Sequence, residues 1–205
     1  MINFLDSEQD YNNVTNDLKQ IFREGIDIVE NAFVKDFTIY TAFEFDKIYS
    51  KKFYSGLKNF LDKLSSKGFI FYTLVPTSND YFFKHFSKYS IARVAINAPY
   101  NDYMEFLHRD PGNSPADALL HNAETIAIFS NELIWGIIGS KDLEVGIVSF
   151  KDEKTKNDFI SCFDEETFID VNTRLNDLDE MLKLTPETKV IHSQIATNYS
   201  NLYKH

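Results

Sequence analysis

The sequence contains few of the residues that stabilise secreted proteins or carry proteins into membranes. Its 205 residues include one cysteine, Cys162, so no disulfide can form within the chain. No apolar run approaches the roughly 20 residues that a membrane-spanning helix needs. The first ten residues, MINFLDSEQD, contain acids where a signal peptide contains Lys or Arg. We therefore expect a cytoplasmic protein with no membrane partner.

Glycine and proline are also scarce, with seven and five residues, while 43% of the residues are hydrophobic and 15% are aromatic. A chain of this composition can bury enough apolar surface to offset the entropy lost on folding, which excludes a disordered or low-complexity chain. Its length suits one domain better than two. We therefore expect residues 1–205 to form a single domain.

Basic residues are fewer than acidic residues in this sequence. The chain has 31 acidic and 21 basic residues, a formal net charge of -10. Negative charge opposes binding to a phosphate backbone, so we expect no nucleic-acid partner. The same charge favours encounter with a basic macromolecule, although many proteins are acidic only for solubility.

Hydrophobic periodicity predicts an α+β fold. Apolar residues at helical spacing predict a long helix over 10–33, and alternation predicts a strand over 37–45. Ser50 is placed to cap a second helix, and Gly68 to end it in the left-handed conformation. Further helices are predicted at 80–89, 102–107, 152–163, 165–184 and after Pro186, and further strands at 69–75, 91–96, 125–129, 133–138 and 144–150. These elements predict a mixed, mostly antiparallel sheet of about six strands with a C-terminal β-meander, covered by helices.

Motifs for catalysis or cofactor binding are missing from the sequence. It contains no Gly-x-Ser-x-Gly, no phosphate-binding loop and no dinucleotide fingerprint, and its histidines lack metal-ligand spacing. Cys162 has no histidine near it in the sequence, and a structural thiol is the simpler interpretation. We predict no catalytic, cofactor-binding or metal-binding residue.

One region leaves room for an enzyme. His108, Arg109 and Asp110 match the tripeptide of the protein-kinase catalytic loop, but Pro115 stands where that loop needs Asn. The match is therefore attributed to chance, with Asp110 starting a turn and Arg109 holding a carboxylate. His108 and His121 nevertheless flank the longest irregular stretch of the chain, so a small enzyme with a site near His108, Asp110 and His121 is the alternative hypothesis.

Acidic residues concentrate near the C-terminus. Residues 151–182 include ten acids and four bases, a net charge of -6. On the helix predicted over 165–184, Glu166, Asp170, Asp177 and Glu180 share the face opposite the apolar stripe. A solvated helix face explains this pattern, and so does a docking surface for a basic partner. The residues predicted to bind a partner are Asp164, Glu165, Glu166, Asp170, Asp177, Asp179 and Glu180.

The segment IAIFSNELIWGIIGSKDLEVGIVSF, residues 126–150, resembles a strand, turn and Trp-containing strand arrangement found in bacterial immunity proteins of contact-dependent or polymorphic toxin systems. Its landmarks are Trp135, Asp142 and Glu144. The resemblance implies a non-enzymatic protein without a cofactor that binds and neutralises a cognate toxin, often a basic nuclease, through an acidic surface. A DNA mimic, in which carboxylates imitate phosphates, is a third interpretation.

Overall fold

A six-stranded antiparallel sheet organises the structure. The computed structural model describes residues 1–112, 115–182 and 185–200. The strands are β1 Ile39–Glu44, β2 Gly68–Val75, β3 Ile91–Ala95, β4 Thr125–Phe129, β5 Trp135–Ser140 and β6 Val145–Phe150. The helices are α1 Glu8–Leu18, α2 Lys51–Lys63, α3 Lys84–Phe86, α4 Tyr100–His108, α5 Leu119–Asn122, α6 Glu153–Ile160, α7 Val171–Leu182 and α8 Pro186–Asn198. The predicted α+β class is confirmed.

The strand order is β1-β6-β5-β4-β2-β3. The strands β4, β5 and β6 form the predicted meander, and every neighbouring pair among the described strands is antiparallel. The parallel pairs expected of a mixed sheet are therefore missing. The antiparallel pairing of β5 with β4 and β6 follows from the short turns between them, because parallel neighbours need a long crossover.

Alternating side chains of the strands build two separate cores. Phe71 and Ile128 point to one face of the sheet, where α2, α4, α5 and α6 cover them. Ile70 and Phe129 point to the other face, which is covered by α1, residues 19–38, α7 and α8. We call these two coverings the α2 layer and the α7 layer. A sheet buried on both faces requires nearly continuous apolar runs in its strands, and every residue of β5 and β6 is buried.

The long helix predicted over 10–33 is wrong. Helix α1 ends at Leu18, and the chain then crosses the α7 layer without regular structure. Gly25 and Asn31 have φ values of 69° and 65°, in the left-handed region that interrupts a helix. Phe22 and Phe33 pair as an isolated bridge and stay buried. The helical spacing of apolar residues was therefore produced by an irregular chain that packs against the sheet.

The helix predicted over 165–184 begins later, at Val171. Ile169 pairs with Ala42 at the outer edge of β1, through N–H···O=C hydrogen bonds of 2.8 Å and 3.0 Å. This pairing protects the edge of the sheet and holds the chain extended before the helix. Glu165 and Glu166 consequently lie in a turn outside α7.

The predicted start of α2 is confirmed, because the Ser50 hydroxyl accepts a hydrogen bond from the amide of Phe53 at 3.1 Å. The predicted end is wrong. Ser65, not Gly68, takes the left-handed conformation after α2, with φ at 54°. Gly68 opens β2, where a Cβ would lie 2.1 Å from the carbonyl oxygen of Val94. Glycine is required at position 68 because β2 and β3 lie too close together there for a side chain.

Buried tyrosines predict how stability responds to alkaline pH. Burial raises the pKa of Tyr54 from 10.0 to about 12, with a smaller contribution from Asp102, and burial also raises the pKa of Tyr72 and Tyr199. The folded state therefore keeps phenol protons that the unfolded chain releases above pH 10.0. We expect the free energy of unfolding to be insensitive to these groups below that pH and to fall as the pH rises above it. Urea unfolding across this range measures the slope, which should be shallower for Tyr54→Phe. An unchanged slope in that variant would contradict the assignment.

Candidate functional site

Two of the predicted partner-binding acids serve the fold of α7. The Asp170 carboxylate accepts hydrogen bonds from the amides of Asn172 and Thr173 at 2.9 Å and 3.3 Å, so it caps the helix. Asp177 forms an ion pair with Arg174 at 3.5 Å. The Arg174 side chain is largely buried and also lies 4.0 Å from Glu44. Both acids have partners within the chain.

Two further acids are also paired internally. Asp179 lies 2.7 Å from Nδ1 of His192, a buried side chain of α8. This contact ties α8 to α7, and Nε2 of His192 has no partner among the described residues. Asp164 forms an exposed ion pair with Lys52 of α2 at 3.0 Å. An exposed pair of this kind stabilises the fold only slightly.

The remaining predicted acids, Glu165, Glu166 and Glu180, are exposed, and no ion pair is found for them among the described residues. Glu165 and Glu166 precede α7, and Glu180 lies in its last turn. The single ridge predicted along one helix is therefore wrong, because the helix does not include residue 166 and because Asp170 and Asp177 are used internally. The three exposed acids are the part of the prediction that remains open to a partner.

Negative charge is distributed unequally between the two layers. The helices of the α7 layer, α1, α7 and α8, have seven acids and two bases, a net charge of -5. The helices of the α2 layer have five acids and six bases, a net charge of +1. Among these helices, negative charge is therefore concentrated on the α7 layer.

Exposed apolar side chains gather on the same layer. Among the described residues, three of the five exposed large apolar side chains lie on α7 and α8: Met181, Leu182 and Val190. Met181 is 73% exposed and Val190 is 58% exposed. Val190 lies about 140° around the helix from the buried Ile195, so it points away from the core. A contiguous apolar patch with polar residues around it is typical of protein-binding surfaces.

The residues of the enzyme hypothesis are only partly brought together. The rings of His108 and His121 approach to 6.5 Å between centroids, and both side chains are exposed. Arg109 donates to the carbonyl of Ile2 and pairs with Glu105 at 3.0 Å. Asp110 accepts hydrogen bonds from the amides of residues 112 and 117, as a turn residue does. The structure therefore confirms both predicted roles: Arg109 holds a carboxylate, and Asp110 forms a turn.

Three other residues named in the sequence analysis, Trp135, Glu144 and Cys162, have structural roles. Trp135 is fully buried, and its Nε1–H donates to the Ser130 hydroxyl at 2.8 Å. Glu144 occupies a left-handed position, φ 52°, in the turn before β6. The Cys162 thiol is half-buried and donates to the carbonyl oxygen of Asp158 at 3.2 Å. In the described part of the chain, no group of three His, Cys, Asp or Glu side chains is placed to hold a metal ion, and no helix is long and apolar enough to cross a bilayer.

One cavity was missed by sequence reasoning. It has a volume of about 500 Å³ and is lined by residues from the start of β2, the end of β3 and the turn between β4 and β5, among them Lys67, Ile70, Arg93, Asn131 and Glu132. Its charged residues are 26 or more positions apart in the sequence. No motif spacing could have joined them, since the strand order alone brings them together.

Comparison with known proteins adds no relative: no protein-family model, no curated protein and no solved structure matches the chain.

Proposed function

We propose that this protein is a non-enzymatic binding protein, an immunity protein that neutralises a cognate basic toxin by docking it on the α7 layer. The observation that carries the proposal is the charge difference between the helices of the two layers, -5 for α1, α7 and α8 against +1 for α2, α4, α5 and α6. The helices of the α7 layer therefore attract a partner with a basic surface more strongly than the helices of the α2 layer do. Fast capture suits a protein that must intercept a toxin, because complementary charge raises association rates.

Exposed acids lie in the last turn of α7 and in the turn that precedes α7. Glu165, Glu166 and Glu180 are free to meet a basic partner, whereas Asp164, Asp170, Asp177 and Asp179 act within the chain. Met181, which follows Glu180 in the chain, and Val190 supply exposed apolar contact area on α7 and α8. Interfaces gain most of their affinity from a few buried apolar anchors and gain on-rate from charged groups at the rim.

The test uses the product of the reading frame next to this gene, since an immunity protein is normally encoded beside its toxin. We expect that product to bind the tagged protein stoichiometrically, to lose affinity as the salt concentration rises and, where it is a nuclease, to lose activity on binding. Surface plasmon resonance at low and high salt measures the first two effects, because screening acts on exposed charges.

Two results would contradict the proposal. Binding that does not change with salt would remove the electrostatic argument for the α7 layer. The absence of any partner at either salt would favour the enzyme hypothesis, for which the proximity of His108 and His121 is the supporting observation.

A further inference from the structure

The outer edge of the sheet at β3 has backbone groups that point away from the sheet. Strand β3 is the last strand in the sheet order, so only one of its sides pairs with another strand. The Thr73 amide of β2 donates to the carbonyl of Ser90, just before β3, at 3.0 Å. Because backbone groups alternate in direction along a strand, the even-numbered residues face β2, and Arg93 and Ala95 face outward.

The N-terminal segment covers the first part of this edge. The Leu5 amide donates to the Ile91 carbonyl at 2.9 Å, and the Leu5 carbonyl accepts from the Tyr89 amide at 2.7 Å. Further along, no described residue bonds to the amide or carbonyl of Arg93 or to the amide of Ala95, whereas the Ala95 carbonyl is bonded at 2.9 Å in the turn after β3. These three unpaired groups are what an additional strand could pair with.

A groove of about 500 Å³ lies beside the unpaired groups. It is lined by residues 1–6 and 97–99 together with Arg93, Ala95 and Asp102. The terminal ammonium group lies 3.0 Å from the Asp102 carboxylate, and the Ile2 carbonyl accepts a hydrogen bond from Arg109 at 2.9 Å. The side chains of Ile2 and Phe4 are buried. The start of the chain is therefore held by α4 and the residue after it, which leaves the second half of β3 unpaired.

Charge at this edge disfavours a second copy of the chain as the occupant. Both backbone groups of Arg93 are unpaired, so two β3 edges related by a twofold axis would meet with Arg93 opposite its own copy. Like charges directly opposite each other on paired strands are destabilising, and each copy has a net charge of -10. The Arg93 side chain is exposed and forms no ion pair with a described residue. The edge therefore suits a different strand with a negative charge opposite Arg93.

We propose that the outer edge of β3 binds an extended peptide segment of a partner protein, which adds an antiparallel strand to the sheet with an acidic side chain opposite Arg93. The residue opposite Arg93 exchanges two N–H···O=C hydrogen bonds with it, and the residue two positions earlier accepts a hydrogen bond from the Ala95 amide. Directly opposite residues share a face of the sheet, so the acidic side chain meets the Arg93 guanidinium. Backbone pairing of a peptide with a sheet edge is a recurring mode of recognition.

This edge is separate from the toxin-docking surface proposed above. Helix α7 packs on β1 and β6, and β1 is the strand at the opposite end of the sheet order. Peptide binding at β3 therefore does not depend on the proposed immunity function, and either proposal can fail without the other.

An NMR titration of the isotope-labelled full chain with the blocked heptapeptide Thr-Val-Thr-Asp-Thr-Val-Thr tests the proposal. We expect saturable shifts of the Arg93 and Ala95 amides with a Kd of about 1 mM or tighter, and slower hydrogen exchange of both amides in the complex. N-methylation of the central Asp removes the amide that donates to the Arg93 carbonyl and should abolish binding. A peptide with Lys at its centre should bind about threefold more weakly, and Arg93→Glu should reverse that preference.

Ala95→Pro removes the unpaired amide from the protein, and Ala95→Ser is the matched variant that keeps it. Proline is accepted on an edge strand where its nitrogen faces solvent, so we expect both variants to fold and only Ala95→Pro to weaken the peptide, by about fivefold or more. The N-methylated peptide probes the same edge with the parent protein, so the test stands even if Ala95→Pro does not fold.

Three results would overturn the proposal. The first is the absence of saturable shifts at peptide concentrations on the order of 10 mM, where a millimolar Kd approaches saturation. The second is equal binding of the N-methylated and unmodified peptides. The third is slower exchange of the Arg93 and Ala95 amides as the protein concentration alone rises, which would identify a second copy of the chain as the occupant.

Discussion

Replacing Trp135 by Ala is expected to destabilise the protein by roughly 3–5 kcal/mol, the usual cost of removing a large buried aromatic side chain. Trp135 is fully buried, and its ring lies 5.5 Å from that of Phe60 and 6.1 Å from that of Phe159. Both neighbours lie in helices of the α2 layer, α2 and α6, so the substitution removes contacts between these helices and β5. Because domains are stable by about 5–15 kcal/mol in total, this loss is a large share of the whole. Urea unfolding followed by circular dichroism measures it.

Trp135→Phe is the matched control. It keeps an aromatic ring in the core but removes the Nε1–H that donates to Ser130, so we expect a smaller loss of about 1–3 kcal/mol. Trp135 is the main landmark of the resemblance to immunity proteins, and its complete burial gives it a role in the core. If Trp135→Ala were as stable as the parent protein but bound its partner poorly, the residue would belong to the interface and not to the core.

The strands were predictable because their signal is local. Alternation over 37–45 and short apolar runs within 125–150 predicted these strands, and each signal lies within a single element. The cap at Ser50 is local in the same way. These elements required no knowledge of the strand order.

The two long helices were mispredicted because tertiary contacts overrule local spacing. The start of α7 is set by pairing between Ile169 and Ala42, which are 127 positions apart. Between α1 and β1, apolar residues repeat at helical spacing but reach the sheet from an irregular chain with Phe22 and Phe33 bridged. Helical propensity is a weak preference beside such contacts.

Some contacts of the acidic residues follow from local sequence, and others depend on tertiary packing. The pairing of Arg174 with Asp177 follows from a spacing of three on one helix and could have been predicted. The pairing of Asp179 with His192 depends on how α8 packs on α7, which the sequence does not reveal. Charge counts therefore located an acidic region correctly but could not separate acids that serve the fold from acids free to bind.

Reversing the three exposed acids is expected to have the largest effect on binding. Glu165→Lys, Glu166→Lys and Glu180→Lys together add six charge units, so the net charge changes from -10 to -4. The association rate with a basic partner should fall by about 10- to 1000-fold at low salt, because attraction on the approach is replaced by repulsion. These side chains are exposed and have no ion pair among the described residues, so stability should change by less than about 0.5 kcal/mol. Stopped-flow or surface plasmon resonance at two salt concentrations measures the rate.

The control for this variant must change net charge equally at another surface. Asp46→Lys, Asp62→Lys and Glu124→Lys also add six units, at exposed positions outside α7 and α8. If both triple variants slowed association to the same extent, net charge alone would govern binding and the α7 surface would have no special role.

Reversal of Asp170 and Asp177 completes the comparison. Asp170→Lys removes the cap of α7, and Asp177→Lys places a second cation beside Arg174, so we expect the pair of substitutions to lower stability by about 1–3 kcal/mol. Any loss of binding in that variant follows from a disturbed helix as well as from lost charge. Only a slow association rate at unchanged stability, found for Glu165, Glu166 and Glu180 together, separates a docking surface from a solvated acidic face. Full affinity in that triple variant would identify the exposed acids as solvated and place the partner elsewhere on the molecule.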